Sequence, residues 1–165
     1  MNKGKLLIFC TIALLLALQI NAYAEDTCSK DEVVKAVDQA VAILEQDGEP
    51  GLQKVGALRF CGGNYVFVND LKGKNLMHIK LDLIGKVLIG LKDDTGKRFF
   101  ADFTEVAKSK EATKNGATYF IGSGWVDYRW PKPGNQEVFY PKTTYIRGCL
   151  MGAESVYVGA GIYTE

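Results

Sequence analysis

The sequence predicts an α+β domain, and three observations carry that expectation. A long one-sided helix opens the folded part, two strand-like segments and a short helical middle follow, and three more strand-like segments close the chain. A helix that is apolar on one side only needs a sheet to lie on. An antiparallel sheet, with that helix on one face and the middle segment crossing the other, satisfies this pattern.

The first 24 residues stand apart. Lys3 and Lys5 precede an almost wholly apolar run at 6–20, and Asn21-Ala22-Tyr23-Ala24 ends in a small-x-small pattern. A basic head, a short apolar middle and an A-x-A exit describe a secretory signal. The middle is shorter than the ~20 residues of a spanning helix, and the bulky Phe9 before Cys10 disfavours lipoprotein cleavage. The expectation is cleavage after Ala24 and a periplasmic or secreted domain at 25–165. Removing Lys3 and Lys5 takes two from the 20 basic residues and leaves 19 acidic ones, a formal charge of −1. Without a basic stripe, nucleic acid is excluded as a partner class. No second apolar run follows, so the sequence predicts a module without its own membrane anchor or output domain.

The folded part opens with Ser29-Lys30-Asp31-Glu32, a capping box. Val33, Val34, Val37, Ala40, Val41 and Leu44 then recur at helical spacing, and Gly48 with Pro50-Gly51 ends the helix. Residues 65–69 read as a strand, 71–74 as a turn and 75–79 as a second strand. Residues 93–97 form a turn, in which Asp93 and Asp94 act as turn formers. Phe99, Phe103, Val106 and Ala107 place a short helix at 98–108. Strands follow at 118–130, 140–147 and 156–163, with Pro131, Pro133 and Gly134 in the first gap and a loop at 148–154 in the second.

The last strand has two unlike faces. Val156, Val158, Ala160 and Ile162 suit the long helix, whereas Tyr157, Gly159, Gly161 and Tyr163 leave space above the sheet. Another side chain or a ligand can fill that space. In the run GWVDYRW, Val126, Tyr128 and Trp130 share one face, and Trp125, Asp127 and Arg129 share the other. Asp127 and Arg129 read as a surface ion pair worth under ~1 kcal/mol, and Trp125 as packing under the sheet edge.

Cys28, Cys61 and Cys149 remain after cleavage, and export favours one disulfide and one thiol. Sequence does not fix the pairing. A first helix of ~25 Å favours Cys28 with Cys149, near the turn it carries, and leaves Cys61 free. The spacings match no zinc pattern, and a single histidine argues against a metal site. No cofactor motif is present.

The chain resembles the single Cache domains, PAS-like extracellular sensing modules. Tyr65-Val66-Phe67-Val68-Asn69-Asp70 and Met77-His78 carry the likeness, as do residues 87–97 with Leu91-Lys92-Asp93 and Thr95-Gly96-Lys97. It continues through GWVDYRWPKP at 124–133, PKTTYI at 141–146 and VGAGIY at 158–163. The resemblance implies a PAS/profilin-like, five-stranded antiparallel sheet with the long N-terminal helix on one face and a ligand pocket on the other. It also implies binding of small metabolites, often short carboxylates, and reporting to a chemoreceptor, histidine kinase or cyclase. Ile79 stands where the family often has proline after the histidine.

Together these readings give His78, Tyr128, Trp130, Lys142 and Tyr145 as ligand-binding residues, with Tyr65 and Phe67 forming the floor. Lys142 supplies a counter-charge for a carboxylate. Lys142 and Tyr145 fall on opposite faces of a regular strand, and Pro141 with a bulge is needed to bring both to one site. Tyr128 and Trp130 serve equally well as core, and His78 as a bystander. Catalysis is not expected, because no G-x-S-x-G or comparable signature occurs. The alternative is a dimeric interaction or accessory protein with a vestigial pocket, its long helix pairing with a second copy.

Overall fold

The computed structural model describes residues 28–134 and 137–164, and the expected signal peptide at 1–24 lies outside them. Helix α1 (Lys30–Asp47) starts as the capping box predicts. The Glu32 amide donates to Ser29 Oγ at 3.3 Å, and the Ser29 amide donates to the Glu32 carboxylate at 2.8 Å. Gly48, at φ 64°, ends the helix. Pro50 then leads into a second short helix, α2 (Gly51–Ala57), where the sequence predicts only a break. Proline's fixed φ suits a helix start as well as it stops a helix, which explains the difference. No helix of the described residues is long and apolar enough to cross a membrane.

The remaining elements are β1 (Arg59–Phe60), β2 (Asn64–Asp70), β3 (Asn75–Met77), α3 (Phe99–Lys108), β4 (Glu111–Lys114), β5 (Ala117–Phe120), β6 (Ser123–Pro131), β7 (Phe139–Met151) and β8 (Glu154–Tyr163). The main sheet has six strands rather than five, in the order β1-β2-β8-β7-β6, with β3 also paired to β2. All of its pairings are antiparallel. The expected loop at 148–154 is a tight hairpin. The β7–β8 ladder continues to Met151 opposite Glu154, and Gly152 takes the left-handed conformation that such a turn needs.

The single strand expected at 118–130 is two strands. β5 pairs with β4 around Asn115-Gly116, both at positive φ, which is the two-residue hairpin signature. The chain then passes close to the end of α3 at Gly122, whose amide donates to the Ala107 carbonyl at 3.0 Å. A Cβ there would stand 2.3 Å from the Val106 carbonyl oxygen, so only glycine fits.

Strand β6 forms one edge of the sheet, and the 93–97 turn covers it. Asp93 Oδ1 accepts from the Thr95 and Lys97 amides, and its Oδ2 accepts from the Arg129 amide at 3.1 Å. The Lys97 ammonium donates to the Asp127 carbonyl. The Arg129 amide and the Asp127 carbonyl of the edge are thus occupied, which disfavours pairing with another chain there. Arg129 pairs with Asp94 at 2.8 Å rather than with Asp127, because the turn brings Asp94 across the edge.

Two cores lie on the two faces of the sheet. Val33, Val37, Val41 and Leu44 of α1 pack against Val66, Val68, Val156, Val158 and Ala160. On the opposite face α3 contributes Phe99, Phe100 and Phe103, which meet Phe67, Tyr128, Trp130 and Tyr157. Both faces of β8 are therefore assigned as its alternation predicts.

The disulfide joins Cys28 to Cys61, in place of the expected Cys28–Cys149 pair. Helix length is the reason. Cys28 precedes the start of α1, whereas Gly48 at its other end lies beside Gly152 of the hairpin, so the length of the helix separates Cys28 from the hairpin end of β7 that carries Cys149. Cys149 is a buried thiol, and burial pushes its pKa up to about 12. The bond ties the start of α1 to the β1–β2 turn across 33 residues. Its reduction is expected to cost about 3–4 kcal/mol, read as a melting temperature lower by roughly 10 °C. A non-reduced peptide map should join the Cys28 and Cys61 peptides.

Candidate ligand-binding site

Strand alternation sets the site. Lys142 of β7 stands opposite Tyr128 in β6 and Tyr163 in β8, so all three share the face that α3 partly covers. The Lys142 side chain is buried, with only 3% of the residue exposed. Its Nζ lies 4.8 Å from the Tyr65 ring centre and 4.7 Å from that of Tyr163. It donates to the Tyr65 hydroxyl at 3.4 Å. No carboxylate among the described residues comes within ion-pair distance of it. Burial, and then the charge of Lys80, lowers its pKa to about 7.

His78 follows β3 and faces the same space. Its Nδ1 accepts from the Lys80 amide at 2.9 Å, which leaves the ring proton on Nε2. The ring lies 5.1 Å from Tyr65 and 5.9 Å from Phe67. Burial, with Lys142 and Lys80 nearby, pushes its pKa down to about 3. The imidazole is therefore neutral, and far too weak a base for proton abstraction at neutral pH. Burial raises the Tyr65 phenol to about 12 against an opposing hydrogen bond with Trp130, so it stays protonated.

Phe67 forms a floor, and it also fills part of the expected gap. A Cβ on Gly159 would stand 2.2 Å from the tip of the Phe67 ring, and one on Gly161 would meet the Thr144 hydroxyl. The two glycines thus admit neighbouring side chains. Tyr128 is occupied similarly: its ring stacks on Phe99 at 4.3 Å, and its hydroxyl accepts from Thr144 at 3.1 Å. Trp130 packs edge-on to Phe99 at 5.5 Å, and the Lys80 ammonium lies 4.8 Å from its ring centre.

Tyr145 does not reach this site. The β6–β7 register runs unbroken from Ser123–Arg147 to Pro131–Phe139, so no bulge turns Tyr145 inward. It lies on the α1 face, 5.3 Å from Trp125, over which Lys30 sits. Sequence reasoning missed Lys80, Thr144 and Tyr163 as neighbours of the site. Lys80 lies two residues from His78, and Tyr163 is the β8 partner of Lys142; the second relation needs the register.

The assembled site is a lysine ammonium without a carboxylate partner among the described residues, walled by tyrosine rings and flanked by a neutral imidazole and a second lysine. Such a set complements one small anion with an apolar body.

A family model for the Cache domain matches residues 52–165. The methyl-accepting chemotaxis protein McpP of Pseudomonas putida is 33% identical over 120 residues, 71% of this chain and 19% of McpP. The chain therefore spans about a fifth of that relative's length. A solved periplasmic sensor domain of a chemotaxis protein is 30% identical with a TM-score of 0.68, covering 82% of this chain and 95% of that one. A Cache chemosensory domain described for its carboxylic acid recognition is 28% identical with a TM-score of 0.66, covering 82% and 92%. The sheet, its long N-terminal helix and the extent of these matches agree: the chain belongs to the Cache domain family.

Proposed function

We propose that residues 25–165 form an exported, non-catalytic sensory domain that binds a short organic carboxylate on the α3 face of the sheet. Lys142 is the counter-charge, Tyr65 and Tyr163 are the walls, and His78 and Lys80 orient the guest. The observation that carries this reading is the Lys142 ammonium, buried between two rings without a carboxylate among the described residues. A buried charge of that kind is costly unless something meets it, and a ligand carboxylate does so. The likeness to a domain known for carboxylic acid recognition supports the ligand class. The likeness to chemotaxis receptors supports a role in signal transduction or chemotaxis, with a membrane chemoreceptor or histidine kinase as partner.

Thermal unfolding with two- to four-carbon monocarboxylates and dicarboxylates tests this. A matching acid is expected to raise the melting temperature with dose, adding about 2.7 kcal/mol at a hundred times its Kd. The corresponding alcohols and amines are expected to leave it unchanged. No shift with any acid at millimolar concentration overturns the reading.

A further inference from the structure

A third lysine lies outside the buried one, and both touch the same ring. Lys132 is exposed and follows the end of β6. Its Nζ is 4.6 Å from the Tyr140 ring centre and 5.5 Å from that of Tyr163. Lys142, buried, is 4.7 Å from Tyr163. Tyr140 and Tyr163 meet edge to face at 6.5 Å. Both tyrosines are only half-buried, whereas Tyr65 beyond them is buried. The series Lys132, Tyr140, Tyr163, Lys142, Tyr65 thus runs from solvent to interior, with two rings between the two cations. One hydrogen bond holds its middle: the Tyr163 hydroxyl donates to the Pro131 carbonyl at 2.9 Å, the residue next to Lys132.

We propose that Lys132 and Tyr140 form an outer anion station, and that Tyr163 is the door between this station and Lys142. The inference rests on the carboxylate reading of the inner site. An exposed cation accelerates the encounter of an anion without holding it long, since exposed pairs are weak and screened by salt. A bound anion then needs the Tyr163 ring to swing. The ring's hydrogen bond to Pro131 is made by its hydroxyl, and phenylalanine keeps the ring and its packing without that bond.

Two measurements test this, one of them independent of any physiological ligand. Iodide quenching of Trp130 fluorescence, in a Trp125→Phe background, reports how fast a small anion reaches the inner site. Lys132→Ala is expected to reduce the quenching constant about threefold at low salt, the difference vanishing at high salt. Tyr163→Phe is expected to raise it. Stopped-flow binding of propionate, or of whichever acid the thermal screen selects, should show a matching pattern. Lys132→Ala should slow association several-fold at low salt with dissociation unchanged. Tyr163→Phe should speed association and dissociation together, a signature that simple loss of a ligand contact, which speeds dissociation alone, does not produce.

Unchanged quenching in both variants overturns the door and the station. So does a Lys132→Ala effect confined to dissociation. If no acid binds the parent protein but iodide quenching responds as expected, the carboxylate reading fails while the entry route stands.

Discussion

Lys142→Met is expected to abolish carboxylate binding and at the same time to make the free protein more stable. The two effects have one cause. In the free protein the Lys142 ammonium is removed from water and held beside tyrosine rings, with Lys80 as a further positive charge. The rings and the 3.4 Å contact with Tyr65 return only part of the lost hydration. Methionine has similar length and no charge, so it removes the penalty while filling the space. Replacing buried charged groups by apolar ones of like volume stabilises proteins by roughly 1–4 kcal/mol. For a domain of this size that is a rise of about 5–10 °C in melting temperature. The lost charge-assisted contact, desolvated on both sides, should weaken binding by a hundredfold or more. Calorimetry and thermal unfolding on one sample read both effects. A structural lysine, whose removal merely unsettles the core, would lower both stability and affinity. A solvated bystander would leave both unchanged. Gain in one and loss in the other separate a binding cation from either.

Much of this arrangement is legible from residue order. The capping box and the Val33–Leu44 stripe give α1 and its buried face, and the alternation in β8 assigns Val158 to one core and Tyr157 to the other. Tyr128, Trp130 and Lys142 come to one face because β6 and β7 are regular and face each other in register. The same regularity removes Tyr145, which a bulge alone could have brought in. Elements governed by long-range geometry were less legible. The Cys28–Cys61 bond depends on where the β1–β2 turn meets the start of α1, and no local spacing states that. The gap above Gly159 depends on Phe67, which is distant in sequence but adjacent through the β2–β8 ladder. Asn115-Gly116 was a readable hairpin signal, masked by the polar, weakly strand-like residues on either side of it.

Carboxylate affinity is expected to fall as pH rises above about 7, whereas the stability of the free protein is expected to increase. Lys142 titrates at about 7 in the fold and at 10.5 unfolded. Between those values the unfolded chain holds more protons, so unfolding becomes less favourable with rising pH; below about 7 the ammonium is charged in both states and the full penalty remains. His78 adds a second ramp in the same direction. Its pKa is about 3 folded and 6.5 unfolded, so stability declines as pH drops through that window. The phenols of Tyr65, Tyr128 and Tyr163, all raised by burial, remain protonated throughout. Binding reverses the upper ramp, because a carboxylate beside Lys142 restores its proton. Above about pH 7 each ligand must therefore bring a proton with it, and affinity drops by up to tenfold per pH unit until the bound lysine itself titrates. Calorimetry at about pH 6, 7.5 and 9, in buffers of different ionisation enthalpy, counts that proton directly. Uptake should rise from near zero towards one across the range, and Lys142→Met should remove the upper stability ramp while leaving that of His78. An affinity constant across the range, with no proton taken up, would mean that the ligand's charge is met elsewhere than at Lys142.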